Sequence, residues 1–210
     1  MSKLILVRHG QSEYNAKDLW TGWIDVPLTE LGKIEAKKAG EEIKDLKIDV
    51  VFVSDLIRSK QTWEEMAKVL DLEDLVTIEA PEIKERSYGD LAGLNKWEVK
   101  KKYGNEQWLK WRRSWDEPIP NGETLKNVYD RVVPYYQKTI LPLLKAGKNV
   151  LLSDHGNSLR ALVKYLDNIS NNEIYTLEIP TGTVYLYEID SNGKIVSKEI
   201  RVEKEAEKAK

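Results

Sequence analysis

The feature that most constrains the fold is a pair of aliphatic runs that each lead into a histidine and a glycine. Residues 4 to 7 run into Arg8, His9 and Gly10, and residues 150 to 152 are followed, after two further positions, by His155 and Gly156. Aliphatic runs without polar alternation are typical of strands covered on both faces. Because open parallel sheets bind ligands beyond the carboxyl ends of their strands, the two runs predict a reactive edge that holds both histidines of the chain.

The rest of the chain predicts an α/β domain. Residues 50 to 53 form another buried apolar run, and Thr29 is placed to cap a helix that extends to about residue 46. The predicted apolar face of that helix consists of Leu31, Ile34, Ala39 and Ile43. Asn192-Gly193 predicts a hairpin turn. We expect a single domain over residues 1–202 and a charged tail over residues 203–210.

Composition excludes several classes of function. The formal net charge of −2 argues against a broad nucleic-acid-binding surface, so any anion site must be a local group of cations. The chain has no cysteine, which excludes disulfides and thiol nucleophiles. No apolar run approaches the roughly 20 residues that span a bilayer, and no stretch resembles a signal peptide. We therefore expect a cytoplasmic protein with no membrane partner.

Histidine chemistry is the simplest functional interpretation of the two strand ends. An imidazole attacks through one nitrogen while a hydrogen bond holds the other, and its ordinary pKa lies near neutrality. A single histidine at a strand end is more often structural, but here both histidines of the chain occupy such positions. Arg8 should favour the neutral, nucleophilic form of His9. Two histidines without cysteine or a His-x-x-x-His spacing are few metal ligands, so we expect no metal.

Further candidate residues follow other predicted elements. Arg58 lies shortly after the apolar run at residues 50 to 53. Glu85 lies in an irregular polar segment, where its carboxyl group could act as general acid or base, although most loop carboxylates are simply solvated. The loop around Thr21 and Gly22 offers a hydroxyl and backbone N–H groups to a small anion, or is a packed turn.

Several motifs are more specific in combination than any of them is alone. Arg8-His9-Gly10 is accompanied by Thr21-Gly22-Trp23, Glu85-Arg86, Tyr88-Gly89, Gly93-Leu94-Asn95-Lys96, Trp111-Arg112-Arg113-Ser114, His155-Gly156-Asn157-Ser158-Leu159-Arg160 and Pro180-Thr181-Gly182. Together these motifs resemble the histidine phosphatase superfamily and, within it, the phosphoglycerate mutases that depend on 2,3-bisphosphoglycerate. The resemblance implies an α/β three-layer sandwich, with a mostly parallel central sheet and helices on both faces.

The resemblance also implies a role for each matching residue. His9 is the implied nucleophile, which takes up a phosphoryl group, and Glu85 is the implied general acid and base. The residues implied to hold the transferring phosphoryl group are Arg8, Arg58, His155, Asn15 and the backbone near Gly156 and Asn157. Those implied to bind the rest of the substrate are Thr21, Gly22, Tyr88, Lys96, Arg112 and Arg113.

Three functions compete at this point. The first is the interconversion of 3-phosphoglycerate and 2-phosphoglycerate, with 2,3-bisphosphoglycerate as phosphoryl primer and without a metal. The second is a phosphatase of the same superfamily, which gives the phosphoryl group to water. The third is a non-catalytic module for phosphorylated ligands, which the presence of nucleophile, acid and cations disfavours. Family members differ in oligomeric state, so a homodimer and a homotetramer both remain open.

The sequence departs from the family pattern at three places. Asp154 precedes His155 where the family usually has a small residue, and Ser59 follows Arg58 where alanine is usual. The carboxyl group of Asp154 could orient His155 and favour its protonated state, or it could point away. The segment over residues 116 to 123 is shorter than in longer mutases, which favours some hydrolysis because water is excluded less completely.

Overall fold

The computed structural model describes residues 1–201, so the predicted tail at 203–210 lies outside the described residues, and the division into one domain and a tail stays a prediction. The described chain forms a six-stranded sheet with helices on both faces. Its strands are β1 (Ser2–Arg8), β2 (Val50–Val53), β3 (Thr77–Glu79), β4 (Val150–Asp154), β5 (Val184–Ile189) and β6 (Ile195–Arg201). Their order in the sheet is β3-β2-β4-β1-β5-β6.

The sheet is mostly parallel, which confirms the prediction. Strands β3, β2, β4 and β1 run parallel to one another, whereas β5 is antiparallel to β1 and β6 is antiparallel to β5. The β5–β6 pair is the hairpin that Asn192-Gly193 predicts. In the β1–β4 pair, Arg8 lies opposite Asp154. Consequently the two histidines, one residue further along each strand, leave the same edge side by side.

Seven α-helices complete the described chain. They are α1 (Glu13–Ala16), α2 (Glu30–Glu41), α3 (Ile57–Leu70), α4 (Lys96–Arg113), α5 (Leu125–Tyr135), α6 (Leu141–Lys145) and α7 (Gly156–Leu166). A π-helical segment, Tyr136–Ile140, follows Pro134 and links α5 to α6, because proline lacks the N–H that a regular helix needs at this point. Within residues 1–201, none of the helices combines the length and apolar character needed to cross a membrane.

Alternate residues of β1 face opposite sides of the sheet and bury two separate cores. Leu4 and Leu6 pack with residues of α5 and α7 on one face. Ile5 and Val7 pack with residues of α2 and α3 on the other. All four side chains are fully buried, which explains why the strand reads as a continuous aliphatic run.

A third hydrophobic cluster lies beside the sheet, at the end of α4. It contains Trp108 and Trp111, together with Trp20, Leu91 and Ile119. Ile119 belongs to the short segment over residues 116 to 123, and the indole N–H of Trp111 donates to the carbonyl oxygen of Pro118 at 3.1 Å. The short segment is therefore packed against α4.

Helix α2 departs from its prediction in its end and in part of its apolar face, although Ala39 and Ile43 are buried as predicted. Thr29 caps it as expected, since its hydroxyl oxygen accepts the N–H of Gly32 at 3.0 Å, but the helix ends at Glu41. Leu31 and Ile34 are about half exposed, and the buried face consists of Gly32, Ala36, Ala39 and Gly40. A Cβ added to Gly40 would lie 3.2 Å from the Cβ of Val69 on α3. The two helices approach too closely for large side chains, which hydrophobic periodicity does not reveal.

Candidate active site

A polar cavity of about 110 Å³ lies beyond the carboxyl ends of β1 and β4. The backbone N–H of His9 donates to the carbonyl oxygen of Asp154 at 2.8 Å, so the ladder between the two strands continues up to the first histidine. Helix α7 begins at Gly156, directly after His155. The cavity thus lies between two strand ends and a helix N-terminus, a position that suits an anion.

The hydrogen bonding and the lowered pKa of His9 both suit a nucleophile. Its Nδ1 lies 2.7 Å from the carbonyl oxygen of Gly10, and we assign the proton to Nδ1 because the carbonyl can only accept. Nε2 then carries the lone pair. Burial lowers the pKa of His9 well below its ordinary value, and the charges of Arg58 and Arg8 lower it further. The direction of this shift agrees with the predicted neutral form, and burial rather than Arg8 is its largest cause.

His155 lies behind His9, with the two ring centroids 5.1 Å apart. Its Nε2 is 2.6 Å from the hydroxyl oxygen of Ser54, which also accepts the N–H of Leu56 at 3.2 Å. We therefore assign the Ser54 hydroxyl as donor to Nε2, which leaves the proton of His155 on Nδ1. Nδ1 has no hydrogen-bond partner among residues 1–201. Burial, followed by the charge of Arg58, lowers the pKa of His155 well below its ordinary value.

In the described part of the chain, two arginines flank His9 without a carboxylate partner, and Arg58 is buried while Arg8 is half-buried. Arg58 donates from Nη2 to the carbonyl oxygen of Gly22 at 2.8 Å and from Nη1 to that of Ile24 at 3.1 Å. Arg8 donates to the carbonyl oxygen of Ile179. In the described part of the chain, neither guanidinium forms an ion pair, and the Nε atoms of both lack a partner. Cations that are largely removed from water and keep free donors suit an anionic ligand.

Glu85 is held at the N-terminus of α7. One carboxylate oxygen, Oε1, accepts the backbone N–H of Arg86 at 2.7 Å, the backbone N–H of Asn157 at 3.2 Å and the side-chain amide of Asn157 at 3.1 Å. The same amide donates to the hydroxyl of Tyr88 at 2.9 Å. Within the described residues no donor hydrogen-bonds to Oε2, so this oxygen is the one available to a substrate. Glu85 lines the cavity and is positioned to exchange a proton there.

Asp154 points away from the imidazole of His155. Its Oδ1 accepts the backbone N–H of His155 at 2.7 Å, and its Oδ2 has no hydrogen-bond partner in the described chain. The second of the two alternatives is therefore correct, and the pKa of His155 is lowered rather than raised. Burial raises the pKa of the Asp154 carboxyl well above its ordinary value. At the other departure, Ser59 donates to the carbonyl oxygen of Ser153 at 2.6 Å, which ties α3 to β4.

We expect Asp154→Asn to stabilise the protein at neutral pH. Because its folded pKa is raised, the folded protein keeps a proton that the unfolded chain releases above about pH 4. This group therefore lowers the free energy of unfolding by about 1.4 kcal/mol per pH unit, from pH 4 up to its folded pKa. Urea unfolding between pH 4.5 and 8 should show a variant–parent difference that grows with pH. Asp116→Asn, at an exposed site, is the matched control, and a pH-independent difference would contradict the prediction.

Both ends of α4 also contribute to the wall of the cavity. Lys96 is the first residue of this helix, and Arg112 and Arg113 are its last, yet all three line the cavity. Gly104 makes this possible because its backbone, at φ 85° and ψ 161°, kinks the helix at its middle. The guanidinium of Arg112 lies 4.5 Å from the ring centre of Trp108. Burial, and then the charge of Arg112, lowers the pKa of Lys96.

Arg160, which the sequence analysis did not assign, ties this cationic group to the catalytic side. It donates to the carbonyl oxygens of Arg112 at 3.3 Å and Arg113 at 3.0 Å, and to Oδ1 of Asn157 at 3.0 Å. It also donates to the carbonyl oxygen of Leu177 at 3.1 Å. Burial lowers its pKa to about 10, so it stays cationic. Its place in the motif that starts at His155 was the one signal for it in the sequence.

The cavity brings together almost all predicted site residues. His155 is the exception, since it lies directly behind His9 rather than on the cavity wall. The predicted residues on the wall are Arg8, His9, Asn15, Thr21, Gly22, Arg58, Glu85, Tyr88, Lys96, Arg112, Arg113, Gly156 and Asn157. The lining residues that sequence reasoning missed are Leu19, Trp20, Arg160, Glu178 and Ile179.

Three of these groups also form a set that could ligate a metal. One ligand atom each of His9, Glu85 and His155 lies within 4.8 Å of the other two. The sequence analysis counted only the two histidines, because Glu85 joins them through the tertiary structure alone. The expectation of a metal-free site stays a prediction.

Comparison with known proteins agrees with this geometry. The family model of the histidine phosphatase superfamily (branch 1) matches residues 4–200. A 2,3-bisphosphoglycerate-dependent phosphoglycerate mutase of Parvibaculum lavamentivorans is 48% identical over 97% of this chain and 98% of its own. One of Chelativorans sp. is 51% identical over 94% and 97%. The phosphoglycerate mutase of Schizosaccharomyces pombe is 45% identical over 94% of both chains.

Solved structures show the same fold. A mycobacterial glucosyl-3-phosphoglycerate phosphatase in complex with VO3 superimposes with a TM-score of 0.82 at 22% identity, over 96% of this chain and 98% of that one. YhfR of Bacillus stearothermophilus gives 0.80 at 21% identity, over 97% and 96%. At these identities the similarity concerns the fold alone. With a family match over nearly all described residues and the histidine pair at the sheet edge, the chain belongs to the histidine phosphatase superfamily, branch 1.

Proposed function

We propose that this protein interconverts 3-phosphoglycerate and 2-phosphoglycerate through a phosphorylated His9. The observation that carries the proposal is the distribution of charge in the cavity. His9 and Glu85 line the cavity together with Arg8 and Arg58, while the ends of α4 add Lys96 and the Arg112-Arg113 pair to the same cavity. A phosphorylated three-carbon acid has one reacting phosphoryl group and a second anionic group, which matches this arrangement. The names of relatives at 45–51% identity support the same activity.

In this proposal Nε2 of His9 attacks phosphorus, and the phosphoryl group passes from the substrate oxygen to the imidazole. Arg8, Arg58 and the Nδ1–H of His155 stabilise the charge on the equatorial oxygens, which is the main requirement of phosphoryl transfer. Asn15 and the backbone at Gly156 and Asn157 supply further donors. The Nε atoms of Arg8 and Arg58 and the Nδ1 atom of His155 have no hydrogen-bond partner in the described chain, and these free donors support the assignment.

Glu85 moves the proton in the same step. Through Oε2 it protonates the substrate oxygen that loses the phosphoryl group, and it takes a proton from the oxygen that later receives it. The hydrogen bonds from Arg86 and Asn157 hold Oε1 and so fix the direction of Oε2. Thr21, Gly22, Tyr88, Lys96, Arg112 and Arg113 bind the remainder of the substrate.

The primer of this reaction would be 2,3-bisphosphoglycerate, which supplies the phosphoryl group that loads His9. The donor set fits such a molecule, because the cations Arg8, Arg58, Lys96, Arg112 and Arg113 line the cavity, and unpartnered donors lie beside His9. Arg8 and Arg58 would hold one phosphoryl group, and Lys96 with Arg112 and Arg113 would hold the other anionic groups. We further propose that the protein acts in the cytoplasm on these small molecules, as a homodimer or homotetramer and without a metal.

A coupled assay tests the proposal directly. Purified protein is given 3-phosphoglycerate with and without a trace of 2,3-bisphosphoglycerate, and both enolase-coupled absorbance and released inorganic phosphate are measured. We expect an enolase signal that the primer stimulates, with little free phosphate. Phosphate release that dominates and ignores the primer would make the protein a phosphatase. The short segment over residues 116 to 123 is the observation that favours this second function.

The Arg112-Arg113 pair separates the two functions. We expect Arg112→Ala and Arg113→Ala, alone and combined, to lower kcat/KM for the mutase reaction by about 10²-fold or more when combined, because each charge-assisted hydrogen bond contributes about 1.5–3 kcal/mol. Hydrolysis of p-nitrophenyl phosphate, which lacks a second anionic group, should change by less than about threefold. Lys110→Ala on the same helix is the matched control. Equal losses in both assays would contradict a substrate-specific role.

A further inference from the structure

The wall of the cavity carries a carboxylate that the proposed mechanism does not use. Glu178 lines the cavity, and its Oε1 accepts a hydrogen bond from Nη2 of Arg113 at 2.7 Å. The side chain of Glu178 is 61% exposed, whereas that of Arg113 is 18% exposed. The carboxylate of Glu178 therefore occupies the guanidinium of Arg113. The proposed function assigns an anionic group of the substrate to that same guanidinium.

Arg113 differs in this respect from the other cations beside it. In the described part of the chain, neither Lys96 nor Arg112 forms an ion pair with a carboxylate, while Arg113 does. The three cations therefore differ in their availability to a ligand. A ligand carboxylate meets two unpaired cations and one that is already paired.

The ion pair is not what holds the end of α4 in position. Arg160 donates to the carbonyl oxygens of Arg113 and Leu177, so it ties the end of α4 to the segment that carries Glu178 through backbone atoms. Arg160 is 5% exposed, and it also donates to the carbonyl oxygen of Ile174 at 2.8 Å. The contact between Glu178 and Arg113 adds only a side-chain pair to this connection. It can therefore open without releasing either segment.

We propose that Glu178 is an internal competitor, which occupies Arg113 until the carboxylate of the substrate displaces it. The inference rests on the proposed function for the assignment of Arg113. The two carboxylates have the same chemistry, so one replaces the other on the guanidinium with a similar hydrogen-bond geometry. Because Glu178 is largely exposed, its displaced side chain can turn into water without the penalty of a buried unpaired charge.

This competition affects both the choice between ligands with one and two anionic groups and the release of the product. A ligand with a single phosphoryl group leaves the pair between Glu178 and Arg113 intact and gains nothing from Arg113. A phosphorylated acid must break the pair, so it binds less tightly than the cations alone would allow. When it leaves, Glu178 takes its place on Arg113, which favours departure of the product. Glu178 is thus a specificity-determining residue for the second anionic group.

Equilibrium binding tests the proposal with a matched ligand pair. Calorimetry compares 3-phosphoglycerate with glycerol 3-phosphate, which has a hydroxymethyl group where the acid has its carboxylate. We expect Glu178→Gln to tighten 3-phosphoglycerate about three- to fivefold, the factor that corresponds to a partly exposed ion pair. Affinity for glycerol 3-phosphate should change by less than about 1.5-fold. Glu106→Gln, which removes the carboxylate of an exposed pair on α4, is the matched control and should change neither affinity.

The double variant decides whether the effect passes through Arg113. In the Arg113→Ala background, Glu178→Gln should no longer tighten 3-phosphoglycerate. Persistence of the full effect there, or equal tightening of both ligands, would show a general charge effect and overturn the proposal. Weaker binding of 3-phosphoglycerate by Glu178→Gln would show that Glu178 positions Arg113, and unchanged binding would show an inert surface pair. Both would also overturn it. These measurements need no turnover, so their outcome is independent of the coupled assay.

Discussion

Replacement of His9 by alanine is expected to lower turnover by at least about 10⁴-fold while leaving the fold intact. The reason is that the phosphoryl group has no other acceptor at this position, and loss of a covalent nucleophile removes the reaction path rather than one contact. The imidazole is buried, and within residues 1–201 Gly10 is its only hydrogen-bond partner, so its removal breaks no hydrogen-bond network between distant segments. The measurement is the coupled assay, together with a test for an acid-labile phosphoenzyme after exposure to 2,3-bisphosphoglycerate.

His155→Ala is the matched control, because it removes the other histidine of the same pair. We expect this variant to form the phosphoenzyme more slowly but still to form it, since His155 stabilises charge and does not accept the phosphoryl group. Thermal unfolding followed by circular dichroism should show that His9→Ala is folded. Undiminished turnover in His9→Ala, or a phosphoenzyme in that variant, would contradict the assignment of the nucleophile.

Replacement of Glu85 by glutamine is expected to lower kcat for the mutase reaction by about 10²- to 10⁴-fold, the contribution of a positioned general acid and base. Glutamine keeps an oxygen that can accept the N–H groups of Arg86 and Asn157, so the geometry of the site is retained. What the variant loses is the ability to exchange a proton with the substrate. The measurement is kcat in the coupled assay and, separately, the rate at which His9 is phosphorylated.

A substrate with a good leaving group provides the test of this role. The leaving phenolate of p-nitrophenyl phosphate needs no protonation, so its transfer to His9 should slow by less than about tenfold in Glu85→Gln. Glu123→Gln is unsuitable as a control because Glu123 binds Arg131 beneath the site. Glu106→Gln, on the exposed side of α4, is suitable. An equal loss with both substrates would show that Glu85 positions groups rather than moving a proton.

The strands were the most predictable part of the fold. The aliphatic runs at β1, β2 and β4 are strands buried on both faces, because a layer of helices covers each face of the sheet. Local chemistry also predicted the cap at Thr29 and the hairpin at Asn192-Gly193, since both depend on neighbouring residues only. The buried face of α2 was not predictable. Its contact with α3 depends on small residues, and a hydrophobic pattern gives small residues little weight.

The candidate site divides in a similar way. His9 and His155 were recognisable because a polar residue follows directly after a buried strand. Glu178 had no such signal. It lies in an irregular segment, and only the tertiary structure places that segment, which Arg160 ties to the end of α4, beside the cavity. Likewise, nothing local indicated that Lys96 and Arg113, at opposite ends of one helix, would face the same cavity across the kink at Gly104.

The sequence alone determined which chemistry this protein has available. Two histidines at strand ends and a set of arginines predict an anion site with histidine chemistry, and the absence of cysteine excludes thiol chemistry, because residue type sets charge, nucleophilicity and hydrogen-bonding capacity. The tertiary structure decided how these groups act. Burial lowers the pKa of both histidines, which favours their neutral forms. The hydrogen bonds from Asn157 orient the carboxylate of Glu85, and the ion pair with Glu178 occupies the guanidinium of Arg113. These properties depend on distance and desolvation between residues far apart in the chain, which only the folded chain brings together.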